Sequence, residues 1–335
     1  MLPRQNKRGV DVVFVWIFVI IAGAVIIAFF VSFSLKHAES STTVTNIRYL
    51  DTVSSIITTF ATSLEADKTI NLPTKVEVFF HCDGLFMITD NKEFNKQIPN
   101  HIVFGTEKII DDKILLWTLP WKLPYTITNL IYATSPHIKY FLIYNSESRA
   151  FVDQISSKIP SRFLVETIDV DNLNLEKIDN DAKLRSYYKN KFVFFTAPKK
   201  LDEISNMETP SSIVEIKPGD YGDVVFYEDG MQKASQHIGN EIIYGAVFVD
   251  DYDNYACLLE KTMDKVAQIT SIYSEKARLL VIKSTNQCLY QEIKTTLDKQ
   301  TRFAQVLNIP EVYKTSQFLI DENRLLDSQD CSLIF

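Results

Sequence analysis

The arrangement of apolar and polar positions divides the chain into stretches of different period. Val12–Leu35 is a 24-residue run without a charge. A bilayer-spanning helix needs about 20 mostly apolar residues, so the run predicts a transmembrane helix over 12–35, preceded by a stub, 1–11. A cleavable secretory signal has an apolar core of only about 7–15 residues followed by a small-residue cleavage site. Ser34-Leu35-Lys36-His37 offers no such site.

Past the polar spacer Ser40-Ser41-Thr42-Thr43, a suitable helix N-cap, the period is helical. Val44, Ile47, Leu50, Val53, Ile57, Phe60 and Leu64 recur every three or four residues. This predicts an amphipathic stalk helix over 40–66, packed on its own domain or on a partner helix. Over 74–118 the period shortens to two. Val76, Val78 and Phe80 alternate with Lys75, Glu77 and Phe79, Cys82-Asp83-Gly84 is a turn before Leu85–Thr89, and Ile102–Phe104 and Ile114–Trp117 follow, with Asp111-Asp112 as another turn. These runs predict a small antiparallel β region. Leu119-Pro120-Trp121-Lys122-Leu123-Pro124 interrupts the pattern and reads as a domain junction.

Over 137–249 apolar runs at Ile138–Tyr144, Phe163–Ile168 and Phe192–Phe195 alternate with helical stretches at Arg149–Ile159 and Leu175–Tyr188. Strand-helix-strand-helix-strand implies parallel pairing with helices on the faces. A hairpin joins Ile213–Ile216 to Val224–Tyr227, and Ile242–Val249 reads as another buried strand. From 250 to 335 the chain is helical. Leu259, Met263, Val266, Ile269, Tyr273, Ala277 and Leu280 form one stripe, and shorter helices cover roughly 285–307 and 311–327. The expected fold class is therefore α+β with an α/β part: an N-terminal transmembrane helix, a small antiparallel sheet, a parallel-strand α/β domain and a C-terminal helical hairpin or bundle.

Charge sets the expected orientation. Arg4, Lys7 and Arg8 precede the apolar run, whereas Lys36 and Glu39 cancel after it. The positive-inside rule places the stub in the cytoplasm and about 300 residues outside. The chain carries 35 Lys and Arg against 42 Asp and Glu, a net charge of -7. Nucleic-acid binding is not expected. With 46% hydrophobic and 23% charged residues, the composition is globular. The expected partners are the lipid bilayer and other membrane or surface proteins, a second copy of the chain included.

The four cysteines, Cys82, Cys257, Cys288 and Cys331, all follow the apolar run. An even number in an oxidising exterior favours disulfides over reduced thiols. A straight helix would hold Cys257 and Cys288 roughly 35–45 Å apart, far beyond the approximately 7 Å limit for a disulfide. The returning helices bring Cys331 back to Cys288, which leaves Cys82 for Cys257. No C-x-x-C pair marks a zinc site, and neither a metal nor a cofactor is expected.

Lys7-Arg8-Gly9 followed by Val10 and the apolar run resembles a class III, prepilin-type signal. The resemblance implies cleavage between Gly9 and Val10 with the helix retained. A long helix before a small antiparallel sheet is also pilin-like in outline. Trp16–Ala24, Phe80-His81-Cys82-Asp83 and Cys331-Ser332-Leu333-Ile334-Phe335 resemble uncharacterised single-pass membrane proteins of small-genome archaea, a resemblance that brings no activity with it.

Catalytic motifs are missing: the sequence has no G-x-S-x-G, H-E-x-x-H, Walker A loop or G-x-G-x-x-G. A site in the α/β part is expected at the carboxyl ends of its strands, where Asn145, Ser146, Asp169, Asp171, Lys199, Asp250 and Asp251 would lie. Asp250, Asp251 and Asp253 form the densest acidic spot. They are read either as helix caps, with Asp169-Val170-Asp171 a solvated loop, or, where carboxylates from these separate elements converge, as a metal or polar site that includes Asp169 and Asp171. Trp117, Trp121 and Tyr125 either seal a core edge or form an exposed aromatic surface. The function expected from all this is that of a membrane-anchored extracytoplasmic protein acting through protein contacts, in a pilin-like or secretion-linked assembly. The alternative is an anchored envelope hydrolase using the carboxyl edge of the sheet.

Overall fold

The computed structural model describes residues 7–63, 65–89, 92–98, 100–283 and 288–335, with side chains for 16–34 and from 48 onward except 89 and 92. Helix α1 spans Lys7–Phe60. Its segment Trp16–Ser34 has a mean hydropathy of 2.8, and none of its residues is buried within the chain. The chain divides into two units, Met1–Asp51 and Thr52–Phe335. The stalk stripe expected over 40–66 lies partly outside the described side chains. In the second unit Val53, Ile57 and Phe60 are buried at its helical spacing. The helix ends at Phe60 and the chain becomes a strand at Ala66.

The second unit contains two six-stranded mixed sheets. The first uses β1 (Ala66–His81), β2 (Gly84–Thr89), β3 (Lys92–Gln97), β4 (Ile102–Gly105), β5 (Lys108–Lys122) and β6 (Thr126–Thr134), in the order β3-β2-β1-β5-β6-β4. All its pairs are antiparallel except β4 with β6. It reaches well beyond the expected 74–118. Leu119–Pro124, read above as a domain junction, instead closes β5 into the turn before β6. Trp117, Trp121 and Tyr125 are buried there and seal the core. Pairing of β1 with β5 breaks between Asn71 and Val76. Pro73, which has no N–H for a ladder bond, sits in that break.

The second sheet uses β7 (Ile138–Tyr144), β8 (Val165–Asp169), β9 (Lys189–Phe194), β10 (Ser211–Ile216), β11 (Tyr221–Glu228) and β12 (Met231–Ile238), in the order β12-β11-β10-β9-β7-β8. Strands β8, β7, β9 and β10 are parallel, and β11 and β12 extend the sheet as antiparallel hairpins. Helix α2 (Arg149–Lys158) buries Val152 and Ile155 on one face, while α3 (Leu175–Arg185) and α4 (Leu201–Ser205) cover the other with Ile178 and Ile204. Right-handed crossovers to opposite sides of β7 require this division.

Ile242–Val249, read above as a strand, is a helix: α5, Gly239–Phe248. Every residue from Ile242 to Phe248 is buried, because α5 lies in the core between the sheets. A helix apolar on all sides has no polar face to reveal its period. Gly245 permits the packing, since a Cβ there would meet the Phe104 ring at 2.6 Å. Three helices follow: α6 (Tyr252–Lys283), α7 (Tyr290–Gln305) and α8 (Ile309–Ser328). Disulfides join Cys82 to Cys257 and Cys288 to Cys331, with Cα separations of 5.9 and 6.1 Å. The architecture is thus mixed α/β, with an N-terminal apolar helix, two mixed sheets and C-terminal helices.

Candidate functional site

Because α5 is a helix, the turn that follows it does not lie at the carboxyl edge of the parallel strands. Val249–Asp251 instead crosses the starts of β9 and β10. Asp250 Oδ2 accepts from Lys189 Nζ at 2.8 Å and from the Glu107 amide at 3.0 Å. Ser212 Oγ donates to Oδ1 at 3.3 Å. The Asp250 side chain is only 4% exposed, so its carboxylate ties the β4–β5 loop to the second sheet. Both of its oxygens are engaged within the protein, as in a structural ion pair.

The neighbouring acids divide the remaining work. Asp251 Oδ1 accepts from the Asn254 amide at 2.7 Å and so caps α6. Burial, with Asp250 and Glu228 nearby, raises its carboxyl pKa. Glu228 Oε1 accepts from the Tyr252 amide. Lys233 lies 3.1 Å from both Glu228 and Asp253, and these hydrogen bonds raise its pKa.

Two positions along β9 from Lys189, Lys191 is fully buried. Its Nζ has no hydrogen-bond partner among the described residues and lies 5.6 Å from the centre of the Phe226 ring. Burial depresses its pKa to about 8, against the attraction of Asp250. An ammonium favours its neutral form when it is cut off from water.

A second polar group lies on the same side of the second sheet, where β5 meets the entry to β7. Asp111 Oδ2 accepts from Ser135 Oγ at 2.5 Å and is 2.6 Å from His137 Nδ1. Its Oδ1 accepts from the Asp112 and Lys113 amides at 2.7 and 3.3 Å. Burial pushes the Asp111 carboxyl up, but hydrogen bonds from His137, Ser135 and Asp112 prevail and hold it below the usual range. Asp111 and Ser135 are fully buried, whereas the His137 side chain is 40% exposed. Tyr188, whose hydroxyl accepts from the Ile110 amide at 3.3 Å, is pushed up to about 12 by burial.

The residue types are those of a hydrolytic triad, but the order differs. In a triad the imidazole stands between nucleophile and carboxylate. Here serine and imidazole both bind one carboxylate oxygen, so His137 does not take the Ser135 proton. Sequence reasoning missed this group and treated Asp111-Asp112 as a turn. The available hint was His137, one of five histidines, directly before the apolar run of β7.

The carboxyl edge holds the other candidates. Asp169 Oδ1 accepts from the Asp171 amide at 2.9 Å, and Asp171 pairs with Lys199 at 2.7 Å. Asn145 Oδ1 accepts from the Glu147 and Ser148 amides at 3.1 and 3.0 Å, and Ser146 is exposed in that turn. Asp169 registers with Tyr144 at the end of β7, whereas Lys189, the partner of Asp250, registers with Ile138 at its start. Six residues of strand separate these ends, about 20 Å. The two acidic groups therefore do not form one metal site.

Cys82, Asp83 and Cys257 place potential ligand atoms close together, but both sulfurs are spent in the disulfide and Asp83 pairs with Lys261 at 3.0 Å. Gly9 and Val10 lie in the first turns of α1, outside the described side chains. Comparison with known protein families, curated proteins and solved structures finds no match. The resemblances noted in the sequence therefore identify no family.

Proposed function

We propose that this chain is a single-pass, membrane-anchored protein with its N-terminal stub in the cytoplasm and its folded unit outside, acting through contacts with other membrane or surface proteins. One combination carries the reading: a 19-residue apolar helix, Trp16–Ser34, precedes a folded unit in which four cysteines form two disulfides. Structural disulfides persist in oxidising compartments, and the basic stub favours retention of Arg4, Lys7 and Arg8 inside. A contact role is preferred to hydrolysis because the acids at both ends of the parallel strands serve caps and ion pairs. The prepilin-type pattern at Gly9-Val10 adds a place in a pilin-like or secretion-linked assembly.

The test uses the full chain in its native membrane. Intact mass after alkylation, with and without reduction, counts the free thiols, and external protease reports which side carries the folded unit. Four cysteines that label only after reduction, together with external cleavage, are expected. Four thiols free before reduction, or a folded unit protected from external protease, would sink the reading. Loss of residues 1–9 from the same mass would place the chain in a prepilin-type assembly, and an intact start would remove that part of the proposal.

A further inference from the structure

Strand β8 forms an edge of the second sheet, paired on one side with β7. The Tyr140 amide donates to the Leu164 carbonyl at 2.8 Å. Backbone direction alternates along a strand, so Leu164, Glu166 and Ile168 turn their N–H and C=O groups to β7, and Val165, Thr167 and Asp169 turn theirs away. The Val165 amide is taken by the Phe163 carbonyl. Thr167 is exposed, and both of its backbone groups are without a partner among the described residues. The other edges differ. β4 is buried along its whole length, β12 lies against α8, and β3 carries Lys92 and Lys96. Cover and lysines are common means of stopping an edge from pairing. β8 contains neither lysine nor proline, and its register with β7 is unbroken.

A groove of about 720 Å³ runs beside β8, lined by Glu166 and Asp169 of the strand and by Lys177 and Asp181 of α3. Helix α3 returns the chain from the end of β8 to the start of β9, so it runs antiparallel to β8. Lys139 Nζ bridges Glu166 at 2.8 Å and Asp181 at 3.1 Å, which sets Asp181 beside Glu166. Lys177 lies about 6 Å back along the helix, level with Ile168, which is about 6.7 Å from Glu166 along the strand. Asp181 also holds Arg185 at 2.9 Å, whereas Lys177 makes no ion pair among the described residues.

This arrangement is complementary to itself. In an antiparallel pair centred on Thr167, the two Thr167 residues exchange both backbone hydrogen bonds. Glu166 then stands opposite Ile168 of the second copy, and Val165 opposite Asp169, so like charges do not meet. Centring the pair on Glu166 or on Asp169 would set two carboxylates face to face, which is destabilising. With Ile168 opposite Glu166 of the other copy, Lys177 reaches that carboxylate, and a two-fold axis makes the contact twice.

We propose that β8 pairs antiparallel with β8 of a second copy of this chain, across a two-fold axis at Thr167, so that the two second sheets become one. The proposal rests on the reading that the chain is membrane-anchored and works through protein contacts. Two chains held in one bilayer meet at high effective concentration, which lets so short a pairing be populated.

The test uses the full chain in lipid vesicles. Thr167→Cys places two thiols opposite each other at a Cα separation of about 5.5 Å, inside the limit of about 7 Å for a disulfide. Mild oxidation should give a reductant-sensitive dimer about tenfold faster than with Glu176→Cys, an exposed position on α3. Adding Lys177→Glu to the Thr167→Cys chain should slow the cross-linking several-fold. Single-molecule photobleaching of the labelled wild-type chain should count two copies per spot, and one for Thr167→Pro. The fold tolerates that proline because the Thr167 amide points away from β7. Cross-linking of Thr167→Cys no faster than that of Glu176→Cys, single copies of the wild-type chain, or pairs that survive Thr167→Pro would overturn the proposal. Thiol oxidation and external cleavage are measured separately. If they hold while the cross-linking fails, only the β8 assignment falls.

Discussion

Lys189 Nζ lies 2.8 Å from Asp250 Oδ2, with the two side chains only 19% and 4% exposed. Removing one partner of a buried pair strands the other charge, a loss of about 3–5 kcal/mol when burial is complete. Because Lys189 keeps some access to water, Asp250→Ala should cost about 2–4 kcal/mol in urea unfolding. Asp171→Ala, which breaks an exposed pair with Lys199, should stay within about 0.5 kcal/mol. Similar losses from the two substitutions would contradict the structural role assigned to Asp250.

Lys191 should respond in the opposite direction. Its folded pKa of about 8 lies below the ordinary lysine value of about 10.4. The unfolded chain therefore holds that proton more tightly, and stability should rise as the pH climbs from about 8 towards 10. At pH 7 the buried amine carries a penalty of about 3 kcal/mol on this linkage. Lys191→Met keeps much of the volume and removes the charge, so it should stabilise the protein by about 1–3 kcal/mol at pH 7. It should also flatten the alkaline rise, which unfolding midpoints at pH 7, 8.5 and 10 will show.

The Asp111 carboxyl gives an acid-side signature. Its pKa is held below the ordinary value of 3.8 despite burial, by hydrogen bonds from His137, Ser135 and Asp112. Its contribution is therefore present in full above about pH 4 and is lost as the pH falls through the lower folded value. His137→Phe and Ser135→Ala each remove a bond to the charged form, so the acid loss should begin at higher pH. Each should also cost about 1–3 kcal/mol at pH 7. Tryptophan fluorescence during acid titration would record the shift, and an unchanged acid midpoint in both variants would refute the assignment.

How far the chain could be read from its residues depended on period. The Trp16–Ser34 helix and the runs of β7 and β9 are continuous and apolar, and α6 shows its stripe from Leu259 to Leu280, so each was legible. Ile242–Phe248 was not, because a helix enclosed between two sheets has the same unbroken apolar run as a buried strand. That reading displaced Asp250 to the carboxyl edge, whereas it lies at the starts of the strands against Lys189. The second half of β1 was legible in Val76, Val78 and Phe80, whereas its first half, from Ala66, precedes the expected 74–118, with Pro73 in the break of its pairing with β5. Of the Asp111 group only His137, directly before the apolar run of β7, left a hint, because Ser135 and His137 reach Asp111 only through the folding of β5 against β6. Local spacing carries no trace of that approach.

The Cys82–Cys257 bond has a consequence for any surface exposed to proteases. It closes 82–257 into a covalent ring, and Cys288–Cys331 closes a second one. A single backbone cut inside either ring, even at the exposed Leu184, leaves one covalently connected molecule. Shedding by one cut is confined to the bonds outside the rings, including the span between Cys257 and Cys288. A nicked protein would run as one band until a reductant separates it.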